Sequence, residues 1–226
     1  MLTGKALEAM LRSQLTAPAA IHKRRRVPAA QQAQARRWMR AVAGLGSGEY
    51  IVEGVSAKPN LFIVRKVEAG AAYKVRLGSG LPVCTCPDWK RHGHGHICKH
   101  IVMAQLTVPA VAYVGIRLEG EVPRVWVVRN TPPGMETVKP LRHIVRHSPT
   151  GFEWGYLGSG PSDLAYSILA DYAGKDVADS LAVRFKEEVV ARLPHAAWML
   201  TEDALQAFLR RHPAAIPVQI PAPAYA

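Results

Sequence analysis

The three cysteines of the chain all lie in one stretch, Cys84-Thr-Cys86-Pro-Asp-Trp-Lys-Arg-His-Gly-His-Gly-His-Ile-Cys98-Lys-His100. Three thiolates and one imidazole are a complete tetrahedral ligand set for zinc, and such a set leaves no position open for water. A closed set is typical of a structural site, and clustered cysteines in a reducing compartment indicate metal binding before disulfides. We therefore predict one zinc ion per chain, held by Cys84, Cys86, Cys98 and His100.

The elements around these residues must turn all four side chains toward one point. Residues two apart on a strand point the same way, so Cys84 and Cys86 fit the end of a strand that Pro87 stops. Residues two apart inside a helix point about 200° apart, so Cys98 and His100 can converge only where a helix begins at Cys98. The sequence Lys-His-Ile-Val-Met-Ala-Gln-Leu after Cys98 favours such a helix.

Three further histidines, His92, His94 and His96, alternate with glycine between the two ligand pairs. Any of them could replace His100 or bind a second ion, but histidines in a glycine-rich loop are more often solvated, and we expect that here. The alternative for the whole stretch is a set of buried cysteines or a redox pair. Four ligands at zinc spacing favour the metal site over that alternative.

The pattern Cys-x-Cys, a spacer of 11 residues and Cys-x-His resembles the SWIM zinc-finger family. The resemblance covers about residues 48–107 and includes a basic alternating strand before Cys84, the Cys-Pro-Asp-Trp run and the Cys-Lys-His-Ile start of a helix. It implies a strand-strand-helix unit that holds zinc, binds nucleic acid or protein, and has no catalysis of its own. Members of that family occur in recombination factors, transposase-derived proteins and chromatin-remodelling ATPases.

The surplus of positive charge is confined to the first half of the chain. The sequence has 29 Lys and Arg against 17 Asp and Glu, a net charge of +12; residues 1–108 hold 17 and 5 of these, and residues 109–226 hold 12 and 12. Such a surplus favours a polyanionic partner. We predict that nucleic acid, with DNA favoured, contacts a surface formed by Lys23, Arg24, Arg25, Arg26, Arg36, Arg37, Arg40, Lys74, Arg76, Trp89, Lys90 and Arg91.

Trp38 and Trp89 lie beside these charges and could stack on the bases of a single strand, although burial in the core is an equally weighted alternative for each. Nothing in the sequence resembles a base-reading code. We therefore expect weakly specific, salt-sensitive binding dominated by phosphate contacts. The alternative function is a protein adaptor that uses the zinc site as its docking surface.

Hydrophobic periodicity and turn residues predict an α+β chain. Helices are predicted over residues 5–15, 28 to 44 or 46, 161–172, 177–193 and 202–211, the last entered through the cap residue Thr201; strands are predicted over 50–55, 61–67, 72–77, 111–118 and 124–129, with an extended piece over 151–156. We divide the chain into a basic helical arm (1–47), a zinc-binding domain (48–108), a small α+β domain (109–212) and an extended Pro-rich tail (213–226).

The second half resembles an uncharacterised domain family of bacterial and phage proteins, through a Gly-Phe-Glu-Trp-Gly-Tyr run and a Gly-Ser-Gly-Pro run. The resemblance covers about residues 111–210 and implies an association with phage or mobile elements, but no activity. Gly158-Ser159-Gly160 before a helix could bind an anion, although a tight turn into the helix is favoured. Glu153, Asp163 and Asp171 could be nuclease carboxylates, but no spacing singles them out, and we predict no enzyme.

Targeting and membrane signals are weak in this sequence. Its first residues lack the apolar core of a secretory signal. The longest uncharged stretch, residues 101–116, has 16 residues, short of the ~20 that a membrane span needs. We expect a soluble cytoplasmic protein without a membrane partner.

Overall fold

The computed structural model describes residues 27–78, 80–130 and 136–213. The predicted helix over 5–15, the basic residues 23–26 and nearly all of the predicted tail lie outside the described residues. The described chain is α+β, as predicted, with two four-stranded antiparallel sheets and helices packed on them. None of its described helices is long and apolar enough to cross a membrane.

The first sheet is half-buried, and its outer face is basic. It contains β1 (Tyr50–Val55), β2 (Lys58–Lys66), β3 (Ala72–Arg76) and β4 (Val83–Cys84), hydrogen-bonded in that order. Side chains alternate across its strands. Val52, Val64 and Val75 are buried on the inner face, whereas Lys74 and Arg76 are exposed on the outer face. The predicted alternation of the third strand is therefore confirmed.

Three helices belong to the same part of the molecule: α1 (Ala29–Gly46), α2 (Pro87–His92) and α3 (Lys99–Leu106). α1 begins at Ala29, one residue after the predicted start at Pro28, and ends at Gly46, one of the two predicted ends. Cys98 is the N-cap residue of α3. The helix therefore starts where the spacing of Cys98 and His100 requires it to start.

The second sheet is largely buried on both faces, except along one exposed edge strand. Its order is β7 (Thr137–Pro140), β6 (Arg124–Arg129), β5 (Val111–Ile116) and β8 (Ala197–Thr201). One face, with Tyr113 and Trp198, packs in a hydrophobic cluster with α4 (Ser159–Ala173), α5 (Lys175–Glu188) and α6 (Glu202–Arg211). The other face, with Val114 and Met199, belongs to the cluster that contains the three cysteines. This sheet is thus the middle layer of the described molecule.

Helix α1 connects the two sheets through that cysteine-containing cluster. Its Trp38, Ala41, Val42 and Leu45 are buried there together with inner residues of both sheets. The apolar face of α1 follows helical spacing, and its opposite face carries the exposed Arg36 and Arg40. The cluster therefore includes residues on both sides of the predicted boundary at residue 108, and the division into domains stays a prediction.

Several predicted elements differ from the structure. Cys84 ends a separate short strand, β4, and Cys86 lies beyond it instead of at the strand's end, because Pro87 begins helix α2 directly after Cys86. The extended piece predicted over residues 151–156 forms no strand, and the helix predicted over 177–193 ends at Glu188, before a 3-10 turn at Val190–Arg192. Thr201 precedes α6, but its side chain makes no capping hydrogen bond.

Candidate metal centre

The four predicted zinc ligands lie together in one buried cluster. Each of Cys84, Cys86, Cys98 and His100 offers a ligand atom, and these atoms all lie within 4.8 Å of one another. Strand β4 supplies Cys84, the N-cap position of α2 supplies Cys86, and the start of α3 supplies Cys98 and His100. The fold thus brings the whole predicted ligand set to one point.

His100 has the surroundings of a metal ligand. The residue is only 5% exposed, and neither of its ring nitrogens has a hydrogen-bond partner among the described residues. Its ring lies beside those of Tyr73 and Tyr50, with centroid distances of 4.4 and 5.7 Å. Burying polar nitrogens without a partner is costly, so the orphaned imidazole fits a metal ion as its missing partner.

Two of the sulfur atoms accept hydrogen bonds from the backbone. The N–H of Cys86 donates to Sγ of Cys84 at 3.4 Å, and the N–H of Trp89 donates to Sγ of Cys86 at 3.3 Å. Hydrogen bonds with Cys84 and Cys98 hold the pKa of Cys86 well below its ordinary value, and the hydrogen bond with Cys86 raises the pKa of Cys84. The two backbone N–H groups thus stabilise negative charge on the sulfurs of Cys84 and Cys86, which zinc binding needs.

A closed set of three thiolates and one imidazole on a unit of strands and a helix defines a structural zinc finger. Residues 73–108 match the SWIM zinc finger family, which confirms the resemblance seen in the sequence. Residues 113–211 match a family of unknown function, DUF6166. Comparisons with the curated proteins and with the solved structures found no match. Zinc at this site would fix the relative positions of β4, α2 and α3.

The spacer histidines are more ordered than the sequence predicts. Residues Pro87–His92 form α2, and the ring of His92 stacks on that of His96 with centroids 4.4 Å apart. Asp88 contacts both histidines, whereas His94 lies edge-on to Trp89 at 5.3 Å. In the described chain, the buried cluster contains none of these three histidines.

The predicted phosphate-contacting residues fall on three elements. The exposed ones are Lys74 and Arg76 on β3, Lys90 and Arg91 on α2, and Arg36 and Arg40 on α1. Arg37 is half-buried, and its Nε donates a hydrogen bond to the carbonyl of Ile97 at 3.0 Å. Arg37 therefore ties α1 to the spacer of the zinc finger.

The two tryptophans differ in their availability to a ligand. Trp38 is 6% exposed and lies in the core, so its ring cannot stack on a base. Trp89 is half-buried and packs against the same cluster. The sequence left open whether each tryptophan is buried in the core. Trp38 is buried there, whereas Trp89 keeps part of its ring accessible.

The carboxylates of the second half have separate partners. Glu153 forms an ion pair with the buried Arg117, and Asp171 accepts a hydrogen bond from Tyr113. Asp163 is fully buried inside α4. The groups of ligand-type side chains that the described residues bring within reach of one ion include none of these carboxylates. Glu153, Asp163 and Asp171 therefore do not form one metal site.

The glycine run at the start of α4 allows close packing against Glu153. A Cβ added at Gly160 would lie 2.7 Å from Cβ of Glu153. This contact is what a tight turn into the helix requires, and it supports the favoured interpretation of Gly158-Ser159-Gly160.

Sequence reasoning missed two residues around the metal centre. Tyr73 lies on the inner face of an alternating strand, and that alternation could have placed it beside the ligands. Asp88 lies four residues before His92 on α2, a spacing at which side chains meet. Its contact with His96 had no sequence signal, because it depends on how the spacer folds back.

Proposed function

We propose that the chain is a zinc-stabilised nucleic-acid-binding accessory protein of the cytoplasm, with weak sequence specificity and no catalysis of its own. The observation that carries the proposal is the basic outer face of the sheet whose last strand supplies a zinc ligand. The similarity to SWIM zinc fingers supports a role in binding nucleic acid or protein. The likeness of the second half to a domain of bacterial and phage proteins supports an association with mobile elements.

The outer face of the first sheet carries exposed cationic side chains on two neighbouring strands. Lys74 and Arg76 project from the same side of β3, about 6.6 Å apart along the strand. The neighbouring β2 adds Arg65, which lies 3.5 Å from Glu53 in an exposed ion pair. Exposed ion pairs are weak, so a phosphate can compete with Glu53 for Arg65.

The zinc-finger spacer and helix α1 carry further exposed cations. Lys90 and Arg91 are exposed on α2, and Arg36 and Arg40 are exposed on α1. The hydrogen bond from Arg37 to the carbonyl of Ile97 holds α1 against the end of the spacer. This contact supports one surface that includes cations from α1 and α2.

Phosphate contacts, and not base contacts, are expected to supply most of the affinity. Arg and Lys side chains neutralise phosphates without regard to sequence. The core position of Trp38 removes one of the two aromatic rings available for stacking, and Trp89 offers only part of its ring. We therefore expect the protein to bind duplex and single-stranded nucleic acid with strong salt dependence.

The first test compares two charge-reversal variants by fluorescence anisotropy with labelled DNA and RNA at a series of salt concentrations. Lys74→Glu/Arg76→Glu should weaken binding at low salt and reduce the slope of log K against log salt by up to about 1.8 for duplex DNA. The matched control is Lys175→Glu/Arg184→Glu, which reverses two exposed charges on α5. That control should bind like the unmodified protein.

Two results would contradict the proposal: an affinity that does not change with salt, or equal losses in both variants.

A second candidate function, docking of a protein partner, is favoured by apolar side chains on the same outer face. Ile51 is 44% exposed there, and Leu61 and Ile63 are half-buried. Absence of nucleic-acid binding by a zinc-loaded protein would favour this second function.

A further inference from the structure

A second cluster of ligand-type side chains lies in the spacer, outside the buried zinc site. Asp88, His92 and His96 offer one ligand atom each, and these atoms lie within 4.8 Å of one another. Nδ1 of His92 is 3.3 Å from Oδ1 of Asp88, and Nε2 of His96 is 3.0 Å from Oδ2. We infer that this cluster is a second, exchangeable site for a divalent transition-metal ion such as zinc or nickel.

The spacing of the donor atoms suits such an ion. Zinc binds imidazole nitrogen and carboxylate oxygen at about 2.0–2.2 Å, and in a tetrahedron this places neighbouring donors about 3.3 Å apart. The distances of 3.3 and 3.0 Å run from the two imidazoles to different oxygens of Asp88, so each imidazole lies at about that spacing from one oxygen of the carboxylate. Two imidazoles and one carboxylate are ligands for zinc, nickel and iron, and imidazole argues against magnesium or calcium.

The fold of the spacer brings these residues together through its glycines. Asp88 and His92 are four residues apart on α2, so their side chains meet on one face of the helix. Gly93 and Gly95 then have φ of 76° and 87°, which residues with a Cβ rarely adopt. These two glycines turn the chain back, so that the ring of His96 stacks on that of His92.

The second site differs from the buried zinc site in exposure and ligand number. The side chains of Asp88 and His92 are 45% and 50% exposed, and that of His96 is 11% exposed. Three protein ligands leave at least one position for water, so an ion here exchanges with solvent. Nδ1 of His92 also lies 2.8 Å from the backbone carbonyl of Asp88, and metal binding would replace that hydrogen bond.

The remaining spacer histidine provides a matched control. His94 is exposed and lies edge-on to Trp89, away from the Asp88 cluster. Substituting it changes the histidine content of the spacer without removing a ligand of the second site. The inference does not depend on nucleic-acid binding, so it can fail while the proposed function stands.

The test measures zinc per chain by elemental analysis, after dialysis of the full-length protein against buffers of increasing free zinc. The unmodified protein should retain one ion at low free zinc and gain a second at micromolar free zinc. His92→Ala/His96→Ala should hold one ion throughout, whereas His94→Ala should still gain the second. In NMR spectra, nickel titration should broaden the imidazole signals of His92 and His96 before that of His94.

Three results would overturn the inference. The first is a single ion per chain up to millimolar free zinc, and the second is an unchanged second ion in His92→Ala/His96→Ala. The third is equal loss of the second ion in His94→Ala. Each variant should retain the buried zinc ion, and this retained ion shows that the zinc finger is still folded.

Discussion

His100 is a buried side chain that a bound metal ion would stabilise. Its two ring nitrogens are buried without a hydrogen-bond partner among the described residues, and each such group costs about 1–3 kcal/mol. Coordination of one nitrogen removes part of that cost, and the ring of Tyr73 packs against the imidazole at a tilt of 33°. Without zinc, the buried imidazole of His100 therefore lowers the stability of the fold.

Gly115 is a position where the absence of a side chain decides how two strands pack. It lies opposite Trp198 in the pairing of β5 with β8, and an added Cβ would lie 2.1 Å from the indole ring. Gly115→Ala should therefore lower the free energy of unfolding by about 3 kcal/mol, since the ring or the strand must shift. Urea unfolding followed by tryptophan fluorescence measures this change.

The control for that prediction is Gly54→Ala in β1. A Cβ at Gly54 would have no heavy atom within 4 Å, so the variant should be as stable as the unmodified protein or slightly more stable. Equal destabilisation by both substitutions would show that the Trp198 contact is not the cause.

At the scale of elements, Asp163 holds the segment before α4 onto that helix. Its buried carboxylate accepts hydrogen bonds from the backbone N–H groups of Arg146, His147 and Ser148. Burial alone would raise the pKa of this carboxyl, but those N–H groups and His143 lower it below the ordinary value of 3.8. The charged carboxylate therefore contributes stability, which is fully present above pH 3.8 and is lost as the pH falls through the lower folded pKa.

Asp163→Asn should destabilise the protein by about 2–3 kcal/mol at neutral pH, because the amide offers a donor where the backbone already donates. The difference from the unmodified protein should be constant above pH 3.8 and shrink below it. Asp179→Asn is the control, since the ion pair between Asp179 and Arg146 is exposed and its loss should cost less than about 1 kcal/mol. Urea unfolding across this pH range checks both variants, and a difference that grows in acid would contradict the assigned role.

Two of the elements that the sequence predicted have a clear one-sided pattern. Helix α1 and strand β3 each have one apolar and one charged face, and that period is visible in the residues. Strand β8 was not predicted, because both of its faces are buried and no alternation remains. The edge strand β7 was also missed, since Lys139 and Pro140 are unusual in strands and are tolerated only at an edge.

The metal centre was predictable from spacing alone, because ligand geometry restricts how strands and helices can present two residues. The second cluster was not predictable in the same way. Its closure depends on the positive φ of Gly93 and Gly95, and a glycine can adopt either sign of φ, so the sequence did not decide between a solvated loop and this turn.

At the scale of the whole molecule, the excess positive charge is confined to one half of the chain, whereas the hydrophobic core is not. The positive surplus lies in the first half of the sequence, yet the hydrophobic cluster around the cysteines includes α1 and one face of the second sheet. The zinc ligands therefore lie in the same core that joins both sheets. One zinc ion in this core can therefore stabilise both the sheet with the basic outer face and the second sheet, which is the middle layer.

The central claim is that this core holds zinc through three sulfurs and one imidazole. The most direct test is X-ray absorption at the zinc edge of the full-length protein carrying His92→Ala/His96→Ala, so that only the buried ion contributes. The spectrum should fit three sulfur atoms at about 2.3 Å and one nitrogen at about 2.0–2.1 Å. A zinc shell with fewer than three sulfurs, or a protein that folds fully and retains no zinc, would contradict it.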